Sequence, residues 1–169
     1  MSNHIIILFL ALFLLTLTAC ESTTEKQTSQ TTAASDLKTK LVGTWESVSL
    51  DVVINTIDGK DSTDRFTVEE TNWIRKLGVQ PVKTKFYEDG NKYVREFRDL
   101  KGELTNTLRG RWNVFGDTLM LIESEATYQY LTNFADGKLQ LRATLDWDGD
   151  GAEDDDYLAI ERKVSNYAQ

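Results

Sequence analysis

The sequence predicts an all-β domain, an eight-stranded antiparallel up-and-down barrel with one short helix inserted between its first and second strands. Two observations carry that reading. From Val82 to Lys163 the chain is a run of strand-like segments of roughly 6–10 residues, each closed by a turn signal. These signals are Glu88-Asp89-Gly90-Asn91, Asp99-Leu100-Lys101-Gly102, Phe115-Gly116-Asp117, Ser124-Glu125, Ala135-Asp136-Gly137-Lys138 and an acidic loop from Asp146 to Asp156. Gly, Asn and Asp supply the positive φ angles that tight hairpins need. The second observation is that no helical pattern interrupts this run, as expected of a barrel or sandwich. Eight meandering strands are enough to close a barrel around a filled core or one small ligand, which removes the exposed edges. A sandwich is the alternative, but the short hairpin connections favour the up-and-down order.

The elements follow in chain order. Ile5 to Leu17 is almost wholly apolar. At ~1.5 Å per residue it reaches only about 20 Å, short of a bilayer core, so it reads as the apolar region of a secretory signal. Residues 21–35 are rich in Ser, Thr and Gln with no large apolar side chain, the composition of a disordered tether. Asp36 to Leu41 reads as a helical turn leading to Gly43-Thr44-Trp45. Val48, Leu50, Val52 and Ile54 then alternate along a long first strand.

Between Phe66 and Pro81 the pattern turns helical. Thr67 and Glu70 have capping-box spacing, Trp73, Ile74 and Leu77 form an apolar stripe, and Gly78 and Pro81 supply the stop. A ten-residue helix of this kind is too short to stand alone and is expected to pack on an open end of the β structure. Beyond it, alternation places one face on Val82, Thr84 and Phe86, then Tyr93, Arg95 and Phe97, then Leu104, Asn106, Leu108 and Trp112. The same face continues through Leu119 and Leu121, Tyr128, Tyr130 and Phe134, Leu139 to Leu145, and Leu158 and Ile160.

A chain of 169 residues with 40% hydrophobic composition suits one globular domain, here residues 36–164. Its net charge of -8, with no basic cluster, argues against nucleic acid as a partner. The sole cysteine, Cys20, permits no internal disulfide, and the sole histidine, His4, lies within the expected signal. Without them the exported domain lacks the parts of Ser/His/Asp or Cys/His catalysis, and no nucleophile is paired with a base. The expectation is a non-enzyme.

Leu17-Thr18-Ala19-Cys20 resembles the lipobox of bacterial lipoproteins. The resemblance implies a signal peptide over 1–19, an acylated Cys20 carrying palmitate-type chains, and attachment to the cell envelope, at the outer membrane. Gly43-Thr44-Trp45, its echo Gly110-Arg111-Trp112, Phe86-Tyr87-Glu88-Asp89-Gly90 and Gly116-Asp117-Thr118-Leu119 lie in order along 37–163. Together they resemble the lipocalin-like domains of bacterial lipoproteins. That resemblance implies a barrel in which Trp45 plugs the closed end and an arginine of the last strand, Arg162, stacks over it. Closure of the barrel would itself bring the last strand beside the first.

Two groups of residues are candidates for binding. Asp146, Asp148 and Asp150 followed by Gly151 match the first half of a calcium loop, in which alternate oxygens curl around the ion. Asp154, Asp155 or Asp156 is expected to close the site, in place of the glutamate such loops use. A solvated acidic hairpin tip without metal is the alternative. Arg95 shares the presumed inner face with Tyr93, and with Tyr128 and Tyr130 it would form a hook for the anionic head of an amphipathic ligand. Otherwise Arg95 turns outward at a bulge or pairs with a nearby acid. The sequence thus supports a lipid-anchored envelope protein that binds a small hydrophobic or amphipathic ligand. The alternative is a calcium-stabilised barrel that acts as a protein-interaction module and carries no cargo.

Overall fold

The computed structural model describes residues 34–55 and 62–168. The signal peptide, Cys20 and most of the tether expected from the sequence lie outside the described residues. Nine strands form one sheet: β1 (Gly43–Asn55), β2 (Thr63–Val68), β3 (Lys83–Phe86), β4 (Lys92–Arg98), β5 (Leu104–Phe115), β6 (Thr118–Ile122), β7 (Thr127–Ala135), β8 (Lys138–Leu145) and β9 (Asp155–Ser165). The order is β2-β1-β3-β4-β5-β6-β7-β8-β9, and β1 also pairs with β9. That last pairing closes β1 and β3 to β9 into the expected eight-stranded antiparallel barrel and leaves β2 as an extra strand.

β1 explains the extra strand. It is 13 residues long, and on one edge Gly43–Glu46 pairs with β3 while Leu50–Asn55 pairs with β2. The other edge runs along β9, with a register shift between Ser47 and Ser49. This bulge resets the alternation, so Trp45 and Ser47 sit opposite the β9 residues Lys163 and Glu161, whereas Leu50 and Val52 sit opposite Ala159 and Tyr157. The hairpin turns fall where Gly and Asp signal them. Asp136 and Gly137, with φ of 52° and 71°, make the doubly left-handed turn that matches strand twist between β7 and β8.

The helical segment is shorter than its sequence pattern. Its first residues, Phe66 and Thr67, are spent on β2, where the Thr67 hydroxyl donates to Asp51 at 2.9 Å. The capping box therefore does not form, and only α2 (Trp73–Leu77) remains, stopped by Gly78 in the left-handed conformation. Trp73 and Leu77 face inward, but Ile74 is 54% exposed.

One end of the barrel is closed. A helix over residues 34–41, α1, lays Leu37 and Leu41 across it. Trp45 is buried beneath, and its indole N–H donates to the Leu41 carbonyl at 2.7 Å. Gly43 is required here, because a Cβ at its φ of +125° would lie 2.4 Å from the Ser165 carbonyl oxygen. The cation over Trp45 is Lys163, with Nζ 5.2 Å from the ring centroid, and not Arg162. Register decides this: Trp45 faces Lys163, whereas Arg162 faces Glu46 and projects from the other side of β9. Arg162 donates to Glu46 at 2.9 Å and to Glu70 at 2.8 Å.

Above this plug the barrel is filled by Phe86, Tyr93, Trp112, Leu119, Leu121, Leu139 and Leu141. Phe86 meets the edge of Trp112 at 5.6 Å. Most inward positions of β3 to β8 are those read from the alternation, although Leu104 and Tyr128 stand on the rim, 53% and 40% exposed. β9 is the exception. Leu158 and Ile160 lie across from Arg142 and Gln140 on the outer face, and Tyr157, Ala159 and Glu161 point inward.

Candidate ligand cavity and acidic loop

The open end of the barrel encloses a cavity of about 310 Å³. Its apolar wall is Leu50, Phe66, Trp73, Leu77, Val82, Phe97 and Trp147. The wall is assembled from β1, the extra strand β2, α2 and the acidic loop, so the elements outside the barrel proper converge on its mouth. Trp147 stacks on Phe66 with ring centroids 6.2 Å apart and leans on Tyr157 at 5.9 Å. Larger hollows of about 610 and 550 Å³ lie elsewhere, on the outer face of β7 to β9 and along the rim beside Tyr128.

Among the described residues, the only charged side chains lining the cavity are Arg95 and Glu161. Arg95 projects inward from β4, level with Thr84 and Leu108. Burial disfavours its charge, but Tyr130, Glu161, Tyr157 and Tyr93 around it more than offset this, so its pKa rises and it stays cationic. Glu161 is 4% exposed, and its Oε2 has no hydrogen-bond partner. Burial pushes its carboxyl above the usual range, and Arg95 only partly pulls it back. No ion pair joins the two residues. They line the same cavity, each from its own strand. Tyr130 and Tyr157 pack together at 5.8 Å, and burial raises the pKa of both phenols, with Arg95 opposing. A further buried polar atom at the cavity wall, Nε1 of Trp73, also lacks a partner.

The four residues proposed from the sequence as a ligand hook are therefore separated. Arg95 lines the cavity and Tyr130 lies within reach of its charge. Tyr93 is committed elsewhere, donating its hydroxyl to Glu123 at 2.5 Å. Tyr128 opens to the rim hollow. Glu161 and Trp73 were missed as polar members of the site. The available signal for Glu161 was the need of an inward arginine for a buried counter-charge.

The acidic loop is ordered by its own carboxylates. Asp146 accepts from the backbone N–H groups of Gly149 and Gly151 at 2.7 and 3.1 Å, and Asp148 from that of Asp150 at 3.1 Å. Asp150 turns to the N–H of Ala152 at 2.8 Å. Asp155, 1% exposed, accepts from the N–H groups of Asn55 and Trp147 at 2.8 and 2.7 Å. Carboxylate oxygens of Asp146, Asp148 and Asp155 come within 4.8 Å of one another. Of the aspartates read from the sequence as a cation loop, Asp146 and Asp148 come together with Asp155, one of the three expected to close it, whereas Asp150, Asp154 and Asp156 fall outside the cluster. Strand alternation explains part of this, because Asp156 occupies the outer face of β9, opposite Thr144. Desolvation, together with the charges of Asp150, Asp155 and Asp146, raises the pKa of Asp148. The carboxylate oxygens suit a hard cation such as calcium.

No protein-family profile and no curated protein sequence matches this chain.

Proposed function

We propose that this chain is a lipid-anchored, lipocalin-like protein of the bacterial cell envelope that binds a small hydrophobic or amphipathic ligand. The cavity under α2 carries the reading: it is apolar for most of its wall and holds two unpartnered buried polar atoms, on Trp73 and Glu161. Buried polar groups without partners are rare in folded proteins, and a ligand or water at the site accounts for them. Anchoring rests on Cys20 in its lipobox setting; among the described residues no helix is long and apolar enough to cross a membrane. Two acyl chains give stable attachment where one gives only reversible binding. Calcium at Asp146, Asp148 and Asp155 would pin the loop that supplies Trp147 to the cavity wall.

A second reading, an interaction module with no cargo, is favoured by the aromatic filling of the lower barrel and by the outer hollow lined by Val53, Leu131 and Leu158. Native mass spectrometry of the chain purified without chelator, before and after EDTA, separates the two. A bound mass of a hundred daltons or more that survives EDTA supports cargo, and a bare mass under both conditions favours the module. Radiolabelled palmitate incorporated by the natural chain and lost in Cys20→Ala tests the anchor.

A further inference from the structure

We propose that the cavity selects a compact, uncharged ligand head that carries an acceptor and a donor on neighbouring atoms, of the carboxamide class, bridging Arg95 and Glu161. This rests on the ligand-binding reading above and narrows it, replacing the anionic head suggested by Arg95 alone.

The first ground is charge. Arg95 and Glu161 are the cavity's only charged side chains among the described residues, so with both ionised its formal charge is zero. An added carboxylate would leave one unbalanced negative charge in a desolvated space, which is costly. The second ground is hydrogen-bond type. Arg95 and the Trp73 indole offer only donors, and Glu161 as a carboxylate offers only acceptors. Arg95 and Glu161 line one cavity without an ion pair between them, so an occupant that meets both accepts from one and donates to the other. A carboxamide does both: its C=O would accept from Arg95 or from the Trp73 indole, and its NH₂ would donate to the Glu161 carboxylate, which keeps an unpartnered oxygen. The third ground is size. At ~30 Å³ per water-sized group, a cavity of about 310 Å³ holds roughly ten non-hydrogen atoms. That suits one aromatic ring with a short polar arm, and a phospholipid or long-chain fatty acid would have to leave most of its chain outside. The ring would lie among Phe66, Trp73, Leu77 and Trp147.

Phenylacetamide and phenylacetate are matched in size and differ in charge and donor capacity, so they serve as probes. Titration calorimetry of the full chain in neutral-detergent micelles at pH 8, with empty micelles as blank, is expected to show phenylacetamide binding about tenfold tighter, the ratio set by one hydrogen bond to a charged group. In Glu161→Gln the repulsion of the carboxylate is gone, and the preference is expected to fall below twofold or reverse. If that variant fails to fold, Trp73→Phe keeps the ring, removes the N–H, and is expected to weaken phenylacetamide about fivefold. Phenylacetate binding as tightly as the amide or more tightly to the natural chain would overturn this inference and leave the ligand-binding reading standing. No heat from either probe at 10 mM, with unchanged melting temperature, would overturn both.

Discussion

Gly110→Ala tests the packing of the lower barrel against a worked number. The backbone at Gly110 has an ordinary φ, so alanine meets no conformational penalty there. Its Cβ would, however, lie 2.3 Å from the Ile122 carbonyl oxygen and 2.7 Å from Cε1 of Tyr93. Neither neighbour yields easily. Ile122 is locked into the β5–β6 ladder opposite Arg111, and the Tyr93 ring is held by its bond to Glu123. Overpacking a core costs about 1–3 kcal/mol, and a clash with backbone belongs at the upper end. At ~4 °C per kcal/mol for a domain of this size, the melting temperature should fall by about 10 °C. Gly116→Ala is the control. Gly116 has a φ of +61° and nothing within 4 Å, so its alanine carries only the left-handed penalty, about 1 kcal/mol. Calorimetric or circular-dichroism melts of the two variants rank the effects. A larger loss in Gly116→Ala than in Gly110→Ala would refute the steric reasoning.

The pH dependence of stability separates two kinds of carboxyl. Asp51 and Glu96 are held below the usual carboxylate range by their bonds to Arg65 and Lys85, so their stabilisation is present above pH ~4 and lost as pH falls through their folded values. Glu161 has the opposite sign. Its folded pKa is raised, so its contribution is complete below about pH 4 and fades as pH rises through the folded value. Glu161→Gln should therefore melt higher than the natural chain at pH 8, with the difference vanishing near pH 4; a variant that melts lower at pH 8 would show that ionised Glu161 stabilises the fold. Millimolar calcium should raise the melting temperature and EDTA should reverse it, by up to ~2.7 kcal/mol at a hundredfold excess over Kd. Asp146→Asn should abolish that response, whereas Asp156→Asn, outside the cluster, should not; equal responses in both variants would remove the site. Lys163→Ala should cost roughly 0.5–2 kcal/mol through its contact with Trp45, and Arg162→Ala, which removes only exposed ion pairs, should cost less.

The barrel was legible in the sequence because turn residues at regular spacing and alternation within strands agreed, and in the structure glycine stands where two backbones approach. Gly43 is the clearest case, since the contact with Ser165 that forbids a Cβ is also what sets Trp45 into the plug. The misreadings share a cause. Alternation in β9 was assigned by choosing the more apolar set, Leu158 and Ile160, but the inward set includes Glu161 because the phase is fixed by pairing with β1 and β8. The bulge at Ser47–Ser49, which local sequence does not announce, sets the phase of β1 in the same way. Thr67 and Glu70 have the spacing of a capping box, yet pairing of β2 with the free upper edge of β1 recovers more backbone hydrogen bonds than one added helical turn. Arg162 and Lys163 are adjacent cations, and only the register reveals which one faces Trp45. The site was half visible for the same reason. Arg95 is conspicuous as a charge on an apolar face, whereas its counterpart on β9 emerges only once that strand's phase is known.

The indole N–H resonances of the four tryptophans offer the most direct check that the cavity under α2 is a ligand site. Trp45 and Trp112 already donate to the carbonyls of Leu41 and Tyr87, at 2.7 and 3.1 Å, and lie deep in the filled part of the barrel. Trp73 and Trp147 line the cavity. On titration with phenylacetamide, the Trp73 and Trp147 signals should move together and saturate, with Trp73 shifting downfield as its N–H gains a partner, while Trp45 and Trp112 stay in place. Four unmoved signals, or movement confined to Trp45 and Trp112, would contradict a ligand site at the open end of this barrel.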